Sequence, residues 1–168
     1  GLSSTPLHLA TAYAALANGG RMIKPTILKR EMPQAGTRVM SEQVAAESVR
    51  MLRKVVTEGT ASFGEVPGYA VAGKTGTADK PKPTGGYYED KVINTFASVF
   101  PAHDPKYVLV VTLDEPVETS GSKPRRTAGW TGGPVAGEHI TRGGPRLGRR
   151  ADGEHRERTT ETRETAHG

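Results

Sequence analysis

Residues 71–78 carry the side chains in this sequence that are best suited to chemistry. They read Val-Ala-Gly-Lys-Thr-Gly-Thr-Ala, so a lysine and two hydroxyl groups stand among glycines. An apolar run precedes them and predicts a strand that continues through Lys74 to Thr77. Alternation along a strand would place Thr75 and Thr77 on one face and Lys74 on the other, unless the strand twists locally. Such a strand suits a substrate that is anionic or carries a carbonyl group.

Two known patterns fit this stretch. Residues 68–75 match the phosphate-binding pattern G-x-x-x-x-G-K-[ST]. That motif needs a strand before its first glycine and a helix that begins at its lysine. Neither is predicted, because the upstream segment ends at Pro67 and residues 79–86 are rich in proline and glycine. The other pattern is the Lys-Thr-Gly triplet of penicillin-recognising serine acyl transferases, which is short and depends on its surroundings.

Composition and charge narrow the function classes. The chain has 168 residues, a net charge of +5 and a pI near 9.6. Its basic residues are scattered and few aromatic residues interleave with them, which argues against a nucleic-acid partner. The absence of cysteine excludes disulfides and cysteine-based metal sites. No apolar run has membrane-spanning length, so we expect no membrane contact by this segment itself.

The first part of the chain predicts two helices and a short strand. A capping residue, Thr5, precedes a helix predicted over residues 5–17. A second helix is predicted over residues 41–58, where Ser41 caps the first turn. Between them, residues 22–28 are interpreted as an edge strand interrupted by a proline.

The part after the motif predicts a hairpin. Residues 94–100 and 107–113 are β-rich and are joined by a turn-rich connection, so they should lie antiparallel beside the motif strand. Residues 79–91 are expected to form a loop. Its aromatic residues, Tyr87 and Tyr88, are either exposed recognition groups or packed against the domain.

Six short segments within residues 1–137 carry a family resemblance. They are residues 5–10 with 14–20, then 58–61, 72–78, 95–101 and 127–130. In this order and spacing they resemble the C-terminal part of the transpeptidase domain of class B penicillin-binding proteins. Within that family, the chain looks most like the division-specific peptidoglycan D,D-transpeptidase of an alphaproteobacterium.

The resemblance implies a fold and a reaction. The expected fold is α+β, of the β-lactamase and transpeptidase type, with an antiparallel sheet flanked by helices and only its C-terminal part present. In the implied reaction, a serine attacks the D-Ala-D-Ala end of a stem peptide, and an amine from a second strand resolves the acyl-enzyme. β-Lactams acylate the same serine, and no cofactor or metal is implied.

The resemblance also assigns roles to the motif residues. Lys74 would support the polar network around the serine. The hydroxyl groups of Thr75 and Thr77 would hold the terminal carboxylate of the substrate or drug. The backbone N–H of Thr77 would supply half of the oxyanion hole, and Gly76 would let the acyl group lie against the strand. We therefore expect Lys74 and Thr77 to be catalytic, and Thr75, Gly76 and Thr77 to bind substrate.

The nucleophile is where the chain departs from the family. The family's Ser-x-x-Lys and Ser-x-Asn motifs belong upstream of the region resembled, and the chain contains no Ser-x-Asn. One Ser-x-x-Lys begins at Ser120, but it follows the motif strand and sits in a loop rich in glycine and proline. We interpret Ser120 as a coincidence. The chain, which opens at Gly1, is then a fragment without a nucleophile and should lack acyl transfer by itself.

The C-terminal part departs as well. A helix is predicted from Thr127, but Gly132, Gly133 and residues 143–145 are expected to spoil it. We therefore divide the chain into residues 1–142, the transpeptidase portion, and residues 143–168, a polar tail predicted to be disordered. A shifted reading frame or a sequencing error near residues 131–145 would explain this, and translation of the other two frames would test it. A natural polar tail is the alternative.

Partners and location follow from the resemblance. The complete protein would bind peptidoglycan stem peptides and β-lactams and meet other division proteins. It would lie on the periplasmic face of the inner membrane, anchored by an upstream helix. Two alternatives stay open: a D,D-carboxypeptidase or β-lactamase of the same fold, in which water replaces the amine, and a non-catalytic fragment.

Overall fold

Capping groups set the ends of the helices. A computed structural model describes residues 2–148. Its helices are α1 (Pro6–Ala17), α2 (Glu42–Glu58) and α3 (Ala128–Gly143), with short 3-10 turns at Ser62–Gly64 and Pro145–Leu147. The Thr5 and Ser41 hydroxyl oxygens accept hydrogen bonds from backbone N–H groups in the first turns of α1 and α2. Both helices predicted from these caps are confirmed.

The main sheet has three antiparallel strands. They are β3 (Ala72–Pro81), β4 (Tyr87–Phe100) and β5 (Tyr107–Asp114), and β4 lies in the middle. Thr75 is paired with Phe96 and Thr77 with Asn94. A separate two-stranded sheet joins β1 (Arg21–Met22) to β2 (Thr37–Arg38). The predicted α+β class and the antiparallel arrangement of the motif strand with its hairpin are confirmed.

The core beneath the motif strand is centred on Phe96, which is fully buried. Three glycines from different elements lie against it. A Cβ on Gly64 or Gly73 would stand 2.9 Å from the Phe96 ring, and one on Gly132 would stand 3.4 Å from its Cβ. Real Cβ contacts are almost never as short as 2.9 Å, so the turn after α2 can approach the ring only because Gly64 has no side chain, and the 3.4 Å contact leaves little room for one at Gly132 of α3.

Three predictions about secondary structure are wrong. The strand expected over residues 22–28 is confined to Arg21–Met22. The loop expected over 79–91 is mostly strand, because β3 and β4 continue as a hairpin that turns at residues 82–86. Within it, the Tyr87 side chain is 53% exposed. Lys82 and Lys91 place their Nζ atoms 5.5 and 5.0 Å from the centre of the Tyr88 ring.

The third error concerns the last helix. Gly132 and Gly133 do not break α3, which runs without interruption to Gly143, and both glycines are buried. The broken helix that motivated a reading-frame shift near residues 131–145 is therefore absent. Residues 143–148, assigned to the disordered tail, end α3 and form a 3-10 turn. The rest of that tail, residues 149–168, lies outside the described residues.

No helix within residues 2–148 combines the length and the apolar character needed to cross a bilayer.

Candidate active-site cleft

A cleft of about 480 Å³ lies beside β3. Three segments form its walls: the end of α2 with the following turn, the motif strand, and the start of α3. Its lining residues are Gly59, Thr60, Ser62, Phe63, Lys74, Thr75, Thr77, Thr127, Ala128, Gly129 and Trp130. The fold therefore brings Lys74, Thr75 and Thr77 to one cleft.

The backbone of β3 directs polar groups away from the sheet. The Thr75 carbonyl accepts a hydrogen bond from Lys74 Nζ at 2.8 Å, and the Val71 carbonyl accepts one from Arg53 Nη1 at 2.7 Å. Both carbonyls accept hydrogen bonds from side chains. In an antiparallel strand, alternate residues direct their N–H and C=O groups to the same edge. The backbone N–H groups of Thr75 and Thr77 therefore face the edge that β4 leaves open.

Lys74 and Thr75 converge in the cleft with a third residue. The Thr75 Oγ1 lies 3.0 Å from the Thr60 Oγ1 and 3.5 Å from Lys74 Nζ. The prediction that Lys74 points away from the threonines is thus wrong, because its side chain folds back over the open strand edge. None of the ion pairs among residues 2–148 involves Lys74. An ammonium group and hydroxyl groups without a counter-charge suit a carboxylate ligand.

Thr77 joins the motif strand to α3. Its Oγ1 accepts a hydrogen bond from the backbone N–H of Ala128 at 3.0 Å, whereas Thr127, the N-cap residue, makes no side-chain capping bond. Thr77 therefore caps α3 from a different element. Since its oxygen accepts this bond, its hydroxyl hydrogen is still able to donate to a ligand. The positive end of the α3 dipole also lies at the cleft and favours an anion there.

Two contacts hold the start of α3 in place. Asn94, which is fully buried opposite Thr77, donates through Nδ2 to Thr131 Oγ1 at 2.8 Å and to the Arg126 carbonyl. Gly129 lies so near the turn after α2 that a Cβ there would stand 2.5 Å from the Thr60 carbonyl oxygen. The cleft walls are therefore locked to each other by a buried amide and by close backbone packing.

Two aromatic side chains belong to one wall, and a cationic side chain stacks on one of them. The Phe63 and Trp130 ring centroids are 4.4 Å apart, and the Arg125 guanidinium carbon lies 3.7 Å from the Trp130 ring centre. Sequence reasoning gave no role to these three residues or to Thr60. Thr60 and Trp130 do lie in segments that carry the family resemblance, which is the one signal that singles them out.

Two other residues singled out in the sequence lie outside the cleft lining. Gly76 is exposed on β3, and a Cβ there would meet only the Thr95 carbonyl oxygen, at 3.9 Å, so the space beside it is open. Ser120 is exposed in a turn closed by backbone bonds between Glu118 and Arg125. The Ser120 N–H donates to Glu118 Oε1 at 2.6 Å, and hydrogen bonds from the Ser120 side chain and from its N–H lower the pKa of Glu118.

The structure excludes the phosphate-binding loop. Lys74 lies inside β3, and no helix begins there. The first glycine of the pattern, Gly68, stands in a turn with a φ of 80°. A phosphate-binding loop requires a strand before that glycine and a helix at the lysine, and the chain has neither.

Comparison with known proteins gives consistent matches. The penicillin binding protein transpeptidase domain matches residues 1–129. A protein of Caulobacter vibrioides named "Probable peptidoglycan D,D-transpeptidase FtsI" is 38% identical over 160 residues, which cover 88% of this chain and 27% of that protein. The chain spans about a quarter of the length of the curated relatives.

Solved structures of penicillin-binding proteins are also similar to this chain. The transpeptidase domain of Burkholderia pseudomallei penicillin-binding protein 3 superposes with a TM-score of 0.73 at 37% identity, covering 84% of this chain and 42% of that one. Penicillin-binding protein 3 of Mycobacterium tuberculosis, in complex with ampicillin, gives a TM-score of 0.71 at 36% identity and covers 84% of this chain and 35% of that one.

Proposed function

The chain belongs to the family of penicillin-binding protein transpeptidase domains, and we propose that it supplies the carboxylate-binding wall of a serine peptidoglycan D,D-transpeptidase. The complete protein would cross-link stem peptides during septal cell-wall synthesis. The observation that carries this proposal is the convergence of Lys74, Thr75 and Thr60 beside the N-terminus of α3. A terminal D-Ala carboxylate is a ligand that matches these donors.

Each motif group has a role in this proposal. The carboxylate of the substrate would accept hydrogen bonds from the Thr75 and Thr77 hydroxyls, with Lys74 supplying positive charge. The scissile carbonyl would then lie along the open edge of β3, where the Thr77 N–H can donate to its oxygen. Loss of one oxyanion donor typically lowers a rate by ~10²–10³. Gly76 would leave room for the acyl group beside the strand.

The reaction itself needs a serine from another part of the complete protein. Its oxygen attacks the carbonyl carbon of the penultimate D-Ala, and a base takes the serine proton. The tetrahedral intermediate collapses, the C–N bond breaks, and the terminal D-Ala leaves with a proton on its nitrogen. An amine from a second stem peptide then attacks the acyl-enzyme, forms the cross-link and frees the serine.

The relatives support the wider setting. The Caulobacter relative is named as a D,D-transpeptidase, and penicillin-binding protein 3 of Mycobacterium tuberculosis has been solved with ampicillin and with aztreonam. We extend β-lactam binding to the complete protein that contains this chain. We also place that protein at the periplasmic face of the inner membrane, held by an anchor helix and in contact with other division proteins.

Labelling with a fluorescent penicillin tests this proposal. The 168-residue chain alone should give no covalent band on a denaturing gel. The complete protein should give a band, and Ser120→Ala in that protein should leave the band unchanged. A band from the chain alone that disappears in Ser120→Ala would overturn the assignment of the nucleophile. Failure of the complete protein to label would overturn the function.

A further inference from the structure

We propose that Arg125, held against Trp130 at the rim of the cleft, binds a second carboxylate on the acyl donor. The inference rests on the proposed function and narrows its substrate class to donors with two carboxylates. Lys74 and Thr75 would take the terminal carboxylate. Arg125 would take another one farther along the donor, such as that of a carboxylated diamino acid in the stem peptide.

Arg125 is fixed in place before any ligand binds. Its guanidinium carbon lies 3.7 Å from the centre of the Trp130 ring, a separation typical of stacked planes. Its backbone N–H donates to the Glu118 carbonyl at 2.9 Å, and its carbonyl accepts from the Glu118 N–H at 2.8 Å. Trp130 is itself in contact with Phe63, so the platform under the guanidinium belongs to the cleft wall. A side chain held in this way loses little freedom when it binds a ligand.

The charge of Arg125 is not neutralised by an ion pair within the described part of the chain. No carboxylate of residues 2–148 lies within 4.0 Å of its guanidinium nitrogens. The charge of Arg125 contributes to the lowered pKa of Glu118, but the larger cause is hydrogen bonding by Ser120, whose N–H donates to one of the Glu118 carboxylate oxygens at 2.6 Å. A stacked guanidinium keeps its N–H donors at its edge, where two of them match a carboxylate.

Two drugs that differ by one carboxylate provide the test. Carbenicillin is benzylpenicillin with an added carboxylate on its side chain. We would measure the second-order acylation rate constants for both drugs with the complete protein, as wild type, Arg125→Gln and Arg125→Lys. Lys123→Gln is the matched control, because it removes one positive charge from the same exposed loop without touching Trp130.

Arg125→Gln should reduce the carbenicillin-to-benzylpenicillin rate ratio by about twofold to fivefold, the upper part of the range for an exposed charged pair. Arg125→Lys should retain part of the ratio, and Lys123→Gln should retain all of it. Trp130→Leu, which removes the platform and keeps the charge, should also lower the ratio.

Three results would bear differently on the two proposals. If Arg125→Gln leaves the ratio unchanged, or if Lys123→Gln lowers it equally, the second-carboxylate site is refuted while the transpeptidase assignment stands. If benzylpenicillin fails to acylate the wild type, the proposed function itself is refuted. A variant that fails to fold would lose both rates together, and Trp130→Leu would then decide the question.

Discussion

The two ends of the β3–β4 hairpin are held together by different forces. At the cleft end, Phe96 and Asn94 of β4 are fully buried, and glycines from three elements pack against Phe96. At the far end, the same strands project into solvent. There Lys80 Nζ bonds Asp114 at 2.7 Å and Glu115 at 2.8 Å. The Asp114 side chain is 63% exposed, whereas those of Glu115 and Lys80 are 38% and 25% exposed.

This difference fits the proposed placement of the catalytic groups at the cleft end of the hairpin. A catalytic donor has to stay within a few tenths of an ångström of its position while charge develops on the substrate. Lys74, Thr75 and Thr77 stand where the packed end of β3 meets solvent, so their backbone is held by the core. The side chains of Lys74 and Thr77 are exposed, and Thr75 is half-buried. The far end has polar and cation–π contacts, no residue of 78–92 is buried, and it is suited to tolerate change.

The largest expected effect comes from removing the packed side chain. Phe96→Ala should lower the free energy of unfolding by ~3–5 kcal/mol, since it removes a fully buried aromatic ring and leaves a cavity. Urea unfolding followed by circular dichroism would measure this. Phe96→Leu, which keeps most of the volume, is the control and should lose much less. Equal losses in the two variants would show that the glycine-lined pocket does not depend on the ring.

A smaller loss of stability is expected from the contact between β3 and the start of α3. Thr77→Val removes the hydroxyl that caps Ala128 and should lower the free energy of unfolding by ~0.5–2 kcal/mol. It should also slow acylation of the complete protein, because the same hydroxyl is assigned to the substrate carboxylate. Thr77→Ser should restore both properties. Loss of acylation with no loss of stability would mean that Thr77 does not cap the helix.

The sequence predicted the locally encoded parts of this fold. Thr5 and Ser41 mark helix starts because a capping hydroxyl acts within its own turn. The motif strand and the hairpin beside it follow from apolar and β-branched runs. The far half of the hairpin was missed because proline and glycine there favour a loop, whereas backbone pairing of β3 with β4 extends the strands to Pro81 and Tyr87.

Tertiary packing accounts for the other errors. Gly132 lowers intrinsic helix propensity, yet its lack of a side chain lets α3 lie against Phe96, and this gain outweighs the local penalty. In the site, the family motif identified Lys74, Thr75 and Thr77. Thr60 and Trp130 come from other elements, and only the fold brings them to the same cleft.

The far end should respond weakly to the loss of its main ion pairs. Lys80→Met removes both bonds to Asp114 and Glu115, but exposed ion pairs contribute little to stability. We expect an unfolding midpoint and a penicillin acylation rate close to those of the wild type. Differential scanning calorimetry and a labelling time course would measure the two. A large fall in acylation would mean that the far end controls the geometry of the cleft.

The smallest effect should be a dependence on acid pH. Hydrogen bonds from Lys80 and Lys91 lower the pKa of Glu115 below its ordinary value of 4.5. The folded state therefore favours the charged carboxylate, and this contribution is present above pH 4.5 and lost as pH falls through the lowered pKa. Comparing urea midpoints of wild type and Glu115→Gln from pH 6 to pH 3 should show the two converging in acid. Parallel curves would contradict the assignment.

Lys74 and Thr75 are proposed to hold the carboxylate of the substrate. The most direct measurement compares acylation of the complete protein by benzylpenicillin and by its methyl ester, which lacks that carboxylate, in wild type and Thr75→Val. We predict that the variant slows the free acid by ~10- to 100-fold, as for loss of a hydrogen bond to a charged group, and leaves the ester almost unchanged. Equal slowing of both compounds would contradict the account.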